Sequence, residues 1–266
     1  MPTPTSMSMS TPTSTSMSKV IAVFGAGTGL GASVARRFGR EGFRVALVAR
    51  RGDRLAALAE ELAGEGIEAT PFTADLSKPE EVPALVEAIR DRLGRIDVIE
   101  YGPIGGEQGF TPAAELNAAT LQALIPLLVL TPVEVVQAVL PEWRERGDGA
   151  FLLTHGYSAA QPMPHLSGLG PVMAATRNYL YSLNAELADK GIYAGTLSIG
   201  SLIARSEVTA EAQAAFEAAG DAHHSVVEPD ELAERYWDMY VKRDRVEQFY
   251  PESLGLTTTQ VVATTA

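Results

Sequence analysis

The chain has 266 residues, 46% hydrophobic and 20% charged, which allows a sizeable core and excludes disorder of the whole chain. Its 33 acids against 21 bases give a formal charge of −12, which repels nucleic-acid backbones and anionic membrane surfaces, so neither is expected as a partner. The absence of cysteine removes disulfides, thiol nucleophiles and thiolate metal sites together, and fits a cytoplasmic protein.

Residues 1–18, "MPTPTSMSMSTPTSTSMS", contain only Ser, Thr, Pro and Met. They lack the basic start and apolar run of a signal peptide, and their composition predicts a disordered low-complexity tail. From Lys19 onward the pattern alternates. "KVIAVF" (19–24) reads as a buried strand, "GLGASVARRFGREG" (29–42) as a helix with a Gly stop, and "RVALVAR" (44–50) as a second strand. "DRLAALAEELAGEG" (53–66) is an amphipathic helix with Asp53 as its N-cap, followed by a third strand, "IEATPFTAD" (67–75). A helix at 78–94 and a fourth strand, "IDVIEY" (96–101), come next. The second half repeats the rhythm: helix about 111–146, strand 149–155, helix 171–189, strand 192–200, helices 207–219 and 228–244, and a seventh strand at 245–250.

Alternating strands and helices predict an α/β fold, a Rossmann-like doubly wound parallel sheet of about seven strands with helices on both faces. Residues 19–255 read as a single domain, and the Thr-rich end, 256–266, as a flexible tail. No run of about 18 apolar residues is read as a membrane span.

The turn between the first strand and first helix, "VFGAGTGLGASVARRF" (23–38), holds Gly25, Gly29 and Gly31 in a GxxxGxG pattern, with Gly27, Thr28 and Leu30 inside it. Glycines here allow a tight turn and let backbone N–H groups and the helix start approach a pyrophosphate. The second strand ends in Ala49, Arg50 and Arg51. An NAD site wants an acid near this place, whereas Arg50 and Arg51 suit a 2′-phosphate, so NADP(H) is expected over NAD(H). The alternative is that the two arginines are a solvated helix entry.

These features resemble the short-chain dehydrogenase/reductase (SDR) family from Lys19 to about Tyr250. The resemblance is carried by the glycine loop, "ARR" (49–51), "ADL" (74–76), "IDVIEYGP" (96–103), "AVLPEWRERGDGAFLL" (138–153) and "LNAELADKGI" (183–192). It implies NAD(P)(H) binding, a small-molecule substrate and a homo-dimer or homo-tetramer. It also implies that Asp75 and Leu76 meet the adenine, and that Tyr101, Gly102, Pro103 and Gly200 line the cofactor. The family's Tyr-x-x-x-Lys pair, aligned back from "LNAEL", falls on Leu169 and Met173, and no such spacing occurs anywhere from 155 to 190. The chain therefore resembles a divergent member without the usual proton donor.

All four histidines, His155, His165, His223 and His224, lie in the second half. His155 ends the fifth strand and Tyr157 follows it closely, so these two are the candidates for a substitute acid or a substrate clamp. The alternative is that they make only local hydrogen bonds. No HxH or HxxxH spacing points to a metal. Glu100 is a charge in an otherwise apolar strand, either an acid–base group or a structural carboxylate paired with a loop or an Arg. Trp143, Trp237, Tyr236 and Tyr240 follow helical spacing and read as core or subunit interface. Three functions fit: an NADP(H)-dependent oxidoreductase acting on a carbonyl, imine or activated alkene with a non-standard proton donor, a non-redox cyclase, isomerase or dehydratase on the same scaffold, or a cofactor-binding protein without catalysis.

Overall fold

The computed structural model describes residues 18–104, 111–206 and 225–257, with single positions 209 and 213. The head to residue 17, most of the expected helix 207–219, His223, His224 and the tail from 258 lie outside the described residues. The apolar runs form strands β1 (Val20–Phe24), β2 (Arg44–Ala49), β3 (Ala69–Thr73), β4 (Val98–Tyr101), β5 (Gly149–Gly156) and β6 (Ile192–Ile199). Two short strands follow, β7 (Leu202–Ile203) and β8 (Val226–Val227), and then β9 (Glu247–Tyr250). The sheet order is β3-β2-β1-β4-β5-β6-β9 with every pairing parallel, while β7 and β8 pair apart from it. This is the seven-stranded, Rossmann-like sheet that the alternating pattern predicts.

The α-helices with described ranges are α1 (Leu30–Arg40), α2 (Gly52–Gly64), α3 (Val82–Leu93), α4 (Ala118–Ile125), α5 (Thr131–Arg146), α6 (Leu169–Leu187), α7 (Pro229–Lys242) and α8 (Ser253–Thr257). Strand side chains alternate between two cores. Ile21, Val23, Leu47 and Leu152 pack with Phe38 of α1, Leu55 of α2 and Tyr236 of α7. Ala22, Phe24, Ile99 and Phe151 pack with Ile89 of α3, Val139 of α5 and Leu180 of α6. Trp143 and Tyr236 are wholly buried, Tyr240 is buried, and Trp237 packs edge-on against Phe38, with ring centroids 5.1 Å apart. All four aromatics thus serve the core.

Some local expectations change. Asp53 is not a cap: α2 begins at Gly52, its N-cap is Arg51, and Asp53 sits in the first turn. The long helical region starts at Ala118, where Asn117 caps α4 by accepting the Thr120 N–H at 3.0 Å. A π-helical turn, Pro126–Leu130, joins α4 to α5. Pro132 brings no N–H to this junction, and two side-chain hydroxyls serve its carbonyls instead. Tyr101 donates to Leu127 O at 2.5 Å, and Thr176 donates to Leu128 O. The run Ala118–Arg146, at 29 residues, is long and apolar enough to cross a membrane by length and composition, which corrects the reading that no such stretch exists. Its apolar character has another use here, since Val135, Val136, Val139 and Trp143 of α5 fill the core beneath the sheet.

β3 is an edge strand with Pro71 at its middle, opposite Leu47 of β2. Glu68 O accepts from Val45 N at 2.9 Å and Ala74 N donates to Ala49 O at 3.0 Å. Backbone direction alternates along a strand, so the Pro71 nitrogen lies on the outer side of the sheet.

Candidate active site

In this sheet the strand order reverses between β1 and β4, the kind of switch point at which parallel sheets bind ligands beyond the carboxyl ends of their strands. The glycine loop leaves β1 at that point. Gly25 has φ 103°, and a Cβ there would stand 2.7 Å from Pro103 N. At Gly31 a Cβ would stand 2.5 Å from Gly25 O. Those two glycines are demanded by the turn and by the approach of α1. Gly27 is different: it is exposed, and a Cβ would meet nothing closer than Gly25 O at 3.8 Å. The start of α1 has no capping side chain and no acid in its first turn, which leaves helix N–H groups and the positive dipole end for an anion. Open backbone at Gly27 beside an uncapped helix start fits a dinucleotide pyrophosphate. Leu30 is buried beneath this loop. The segment after β7 closes over it: Thr28 donates to Arg205 O at 2.8 Å, and Ser206 Cβ lies 3.1 Å from where a Gly29 Cβ would be. Arg205, at φ 61°, is held by Asp230 at 2.8 Å and Glu228 at 3.3 Å.

Arg50 and Arg51 are exposed at the end of β2. Asp75 accepts from Ser77 N at 3.1 Å and Ser77 Oγ at 2.7 Å. The Ser77 hydroxyl is the main cause holding the Asp75 carboxyl below its usual range, with Lys78 and Arg50 adding charge. Leu76 is buried, and its carbonyl accepts from Thr131 Oγ1 at 2.7 Å. At the end of β4, Gly102 N donates to Phe24 O at 2.9 Å, and Pro103 packs on Gly25. The Tyr101 ring is 1% exposed and belongs to the core, with its hydroxyl committed to Leu127 O. Gly200 is close-packed too: a Cβ would stand 2.3 Å from Leu254 Cδ1.

Between the ends of β4 and β5 and the face of α6 lies a cavity of about 10 Å³, lined by Tyr101, Pro103, Leu128, His155, Met173 and Thr176 among others. His155 is 4% exposed, and its Nε2 is buried with no partner. Burial pushes the imidazole down to about 4, against a smaller upward pull from Glu247. Its Nδ1 lies 3.2 Å from Ser198 Oγ on β6 and 3.3 Å from Gly156 O. Ser198, wholly buried, donates to Glu247 Oε1 on β9. Arg177 of α6 grips the Glu247 carboxylate with Nε at 2.9 and 3.1 Å and Nη2 at 2.5 Å, and Tyr181 donates to Oε2 at 2.6 Å. Burial alone would raise Glu247, but Arg177, Ser198 and Tyr181 outweigh it and hold the carboxyl below its usual range.

Tyr157 belongs to different surroundings. Its ring packs edge-on against Phe249, centroids 5.8 Å apart, and its hydroxyl is 3.5 Å from Leu254 O. His155 and Tyr157 therefore face separate neighbours. His165 has φ 63° and is exposed. Leu169 and Met173 lie in the first two turns of α6, where Met173 and Val172 pack with Leu128 and Ala159 in a small apolar cluster.

On the other side of the sheet, Glu100 is 1% exposed. Thr154 donates to its Oε1 at 2.7 Å and lies 2.6 Å from the Tyr236 hydroxyl, which donates to Leu153 O at 2.9 Å. Oε2 has no partner. Burial raises the carboxyl to about 8, with Thr154 pulling slightly the other way. The partner is thus a strand threonine, neither a loop nor an arginine. Among the described residues no group of three His, Cys, Asp or Glu could hold a metal.

Ser198, Glu247 and Arg177 escaped the reading of the sequence. A signal for the first was present: Thr196 and Ser198 are polar at alternate positions of an otherwise apolar parallel strand, so both lie on one buried face.

Residues 19–215 match the short chain dehydrogenase family. The chain is 28% identical to a glucose 1-dehydrogenase of Gluconobacter oxydans over 187 residues, covering 70% of each protein. It is 28% identical to sulfoacetaldehyde reductase 2 of Chromohalobacter salexigens over 204 residues, 76% of this chain and 79% of that one. With a short chain dehydrogenase of Pseudocercospora fijiensis the match spans 69% of this chain but only 60% of the relative's length. Among solved structures, L-sorbose reductase from Gluconobacter frateurii, complexed with NADPH and L-sorbose, superposes with TM-score 0.77 at 25% identity, over 87% of this chain and 94% of that one. A glycine loop at the point where the strand order of a seven-stranded parallel sheet reverses, and a family match across most of the length, lead to one assignment: the chain belongs to the short-chain dehydrogenase/reductase family.

Proposed function

We propose that this chain is an NADP(H)-dependent oxidoreductase that acts on a carbonyl, imine or activated alkene of a small organic molecule, without the Tyr-x-x-x-Lys pair of its family and with His155 handling the proton. The observation that carries this reading is the buried, unpartnered His155 Nε2 at a cavity beside the strand ends. Leu169 and Met173 have no proton to give, and the hydroxyls of Tyr101 and Thr176 are bonded to helix carbonyls. Tyr157, turned toward Phe249 and Leu254, is the weaker candidate.

Gly27, Thr28, Gly29 and the start of α1 would hold the cofactor's pyrophosphate. Arg50, with Ala49 in place of an acid, would take its 2′-phosphate. The solved relative bound to NADPH supports that preference. When bound, the cofactor supplies or accepts hydride. The chain's own part is to orient the ligand, exclude water and carry a proton at His155 Nε2. Association into a homo-dimer or homo-tetramer is part of the same proposal.

The test is NADPH binding by fluorescence, then NADPH consumption over a panel of ketones, aldehydes, imines and enones. Wild type should bind and turn over at least one class. His155→Gln should keep NADPH affinity and lose about 100-fold or more in kcat, the usual worth of a positioned acid or base. Binding without turnover would favour a non-redox enzyme or a non-catalytic binder, and absence of binding would end the proposal.

A further inference from the structure

The chain of contacts behind His155 has a direction. Glu247 receives hydrogen bonds from Arg177 and Tyr181 and is held ionised, so it can only accept. The Ser198 hydrogen must therefore point at Glu247. That leaves Ser198 Oγ only lone pairs to offer His155. Gly156 O, the other neighbour of Nδ1, is also an acceptor. Two acceptors face Nδ1, and a neutral imidazole has one N–H to place. It belongs on Nδ1, which leaves Nε2 bare.

The surroundings of Nε2 complete the argument. The Tyr101 hydrogen goes to Leu127 O and the Thr176 hydrogen to Leu128 O. Thr154 lies within hydrogen-bond reach of both Glu100 and Tyr236, so its hydrogen stays in that network. Every hydroxyl in the cavity wall is thus committed elsewhere, and Nε2 keeps a lone pair that these groups do not satisfy.

We propose that Ser198 and Glu247 are positioning residues that lock neutral His155 in the Nδ1–H tautomer, so that Nε2 accepts from a hydroxyl or N–H of the reduced ligand and meets a carbonyl oxygen only once Nε2 is itself protonated. This rests on the reading of His155 as the proton-handling group, yet the tautomer can be measured without cofactor or turnover. The geometry also predicts a reversal. In Glu247→Gln the amide oxygen is favoured at the Oε2 place, where Arg177 Nη2 and Tyr181 donate and Arg177 Nε also reaches at 3.1 Å, which gives up the Nε bond at the Oε1 place and turns the NH₂ toward Ser198. The serine then accepts, and its own hydrogen turns to Nδ1.

The experiment is nitrogen NMR of the histidine rings in the full chain at pH 7, with His155 assigned by its loss in His155→Gln. Wild type should show a protonated Nδ1 and a bare Nε2. Glu247→Gln should shift the tautomer ratio about tenfold or more toward Nε2–H, the scale of one hydrogen bond. Ser198→Ala, which keeps only the longer bond to Gly156 O, should weaken the preference without reversing it, and it serves if the glutamine variant does not fold. An Nε2–H tautomer in wild type, or an unchanged ratio in a folded variant, overturns the proposal. Failure of NADPH turnover with the tautomer pattern intact would instead count against the proposed function alone.

Discussion

Glu100→Gln isolates the buried carboxyl from everything else at the site. Burial raises Glu100 from 4.5 to about 8, so between those values the folded chain keeps a proton that the unfolded chain has released. The sign follows directly: stability is full below about 4.5 and falls as pH rises through 8, by about 1.4 kcal/mol for each pH unit. At pH 7 the loss amounts to about 3 kcal/mol. Gln keeps the Thr154 bond through its carbonyl oxygen and places an NH₂ where Oε2 already lacks a partner, so it matches the protonated acid in shape and charge with one more hydrogen to place. The variant should therefore equal wild type near pH 4.5 and exceed it at pH 7. For a chain of this size about 2–4 °C accompanies each kcal/mol, so the melting midpoint at pH 7 should rise by about 6–12 °C. Thermal unfolding followed by circular dichroism from pH 5 to 8 reads this. Parallel curves for the two proteins across that range would refute the account of Glu100 as a protonated acid.

Arg50→Glu should weaken NADPH binding about 10–100-fold and leave NADH binding nearly unchanged, measured by fluorescence titration, since a charge-assisted bond to the 2′-phosphate contributes about 1.5–3 kcal/mol. Equal losses for both cofactors would assign Arg50 a merely electrostatic role. Gly31→Ala drives a Cβ to 2.5 Å from Gly25 O, which is backbone and cannot yield cheaply. It should cost about 1–3 kcal/mol in stability and disturb the phosphate loop, seen as a lower melting midpoint together with weaker NADPH binding. With His155 held down at about 4, its proton-donating form at pH 7 is about one part in a thousand. If His155 donates the proton during reduction, kcat/KM should therefore rise about tenfold per unit as pH falls from 8 to 6, and a flat profile would remove it as donor.

Much of this fold is written in runs of local pattern. Strand β1 is an uninterrupted apolar segment, β2 is apolar after Arg44, β4 and β6 are apolar apart from Glu100 and from Thr196 and Ser198, and the glycines at 25 and 31 sit where packing leaves no room for a side chain. Such features need only near neighbours to be recognised. The junction at 126–130 is harder, because its π turn depends on hydroxyls from Tyr101 and Thr176, which lie on separate elements. The His155 system is harder still. Ser198 stands 43 positions from His155, and Glu247 a further 49, joined only by the register of β5, β6 and β9. Periodicity identifies a buried Ser or Glu on a strand face, whereas its partner is set by the order of strands in the sheet.

Pro71 has a consequence for how copies of this chain behave when crowded. The sheet's β3 flank is a row of outward backbone groups, the kind of border onto which another strand can zip. At its centre the outward donor is replaced by a ring carbon, so a strand arriving there would lose a bond and meet bulk in its place. The formal charge of −12 adds repulsion between approaching copies. A continuous β-ribbon through this flank would be interrupted at the third of its five residues.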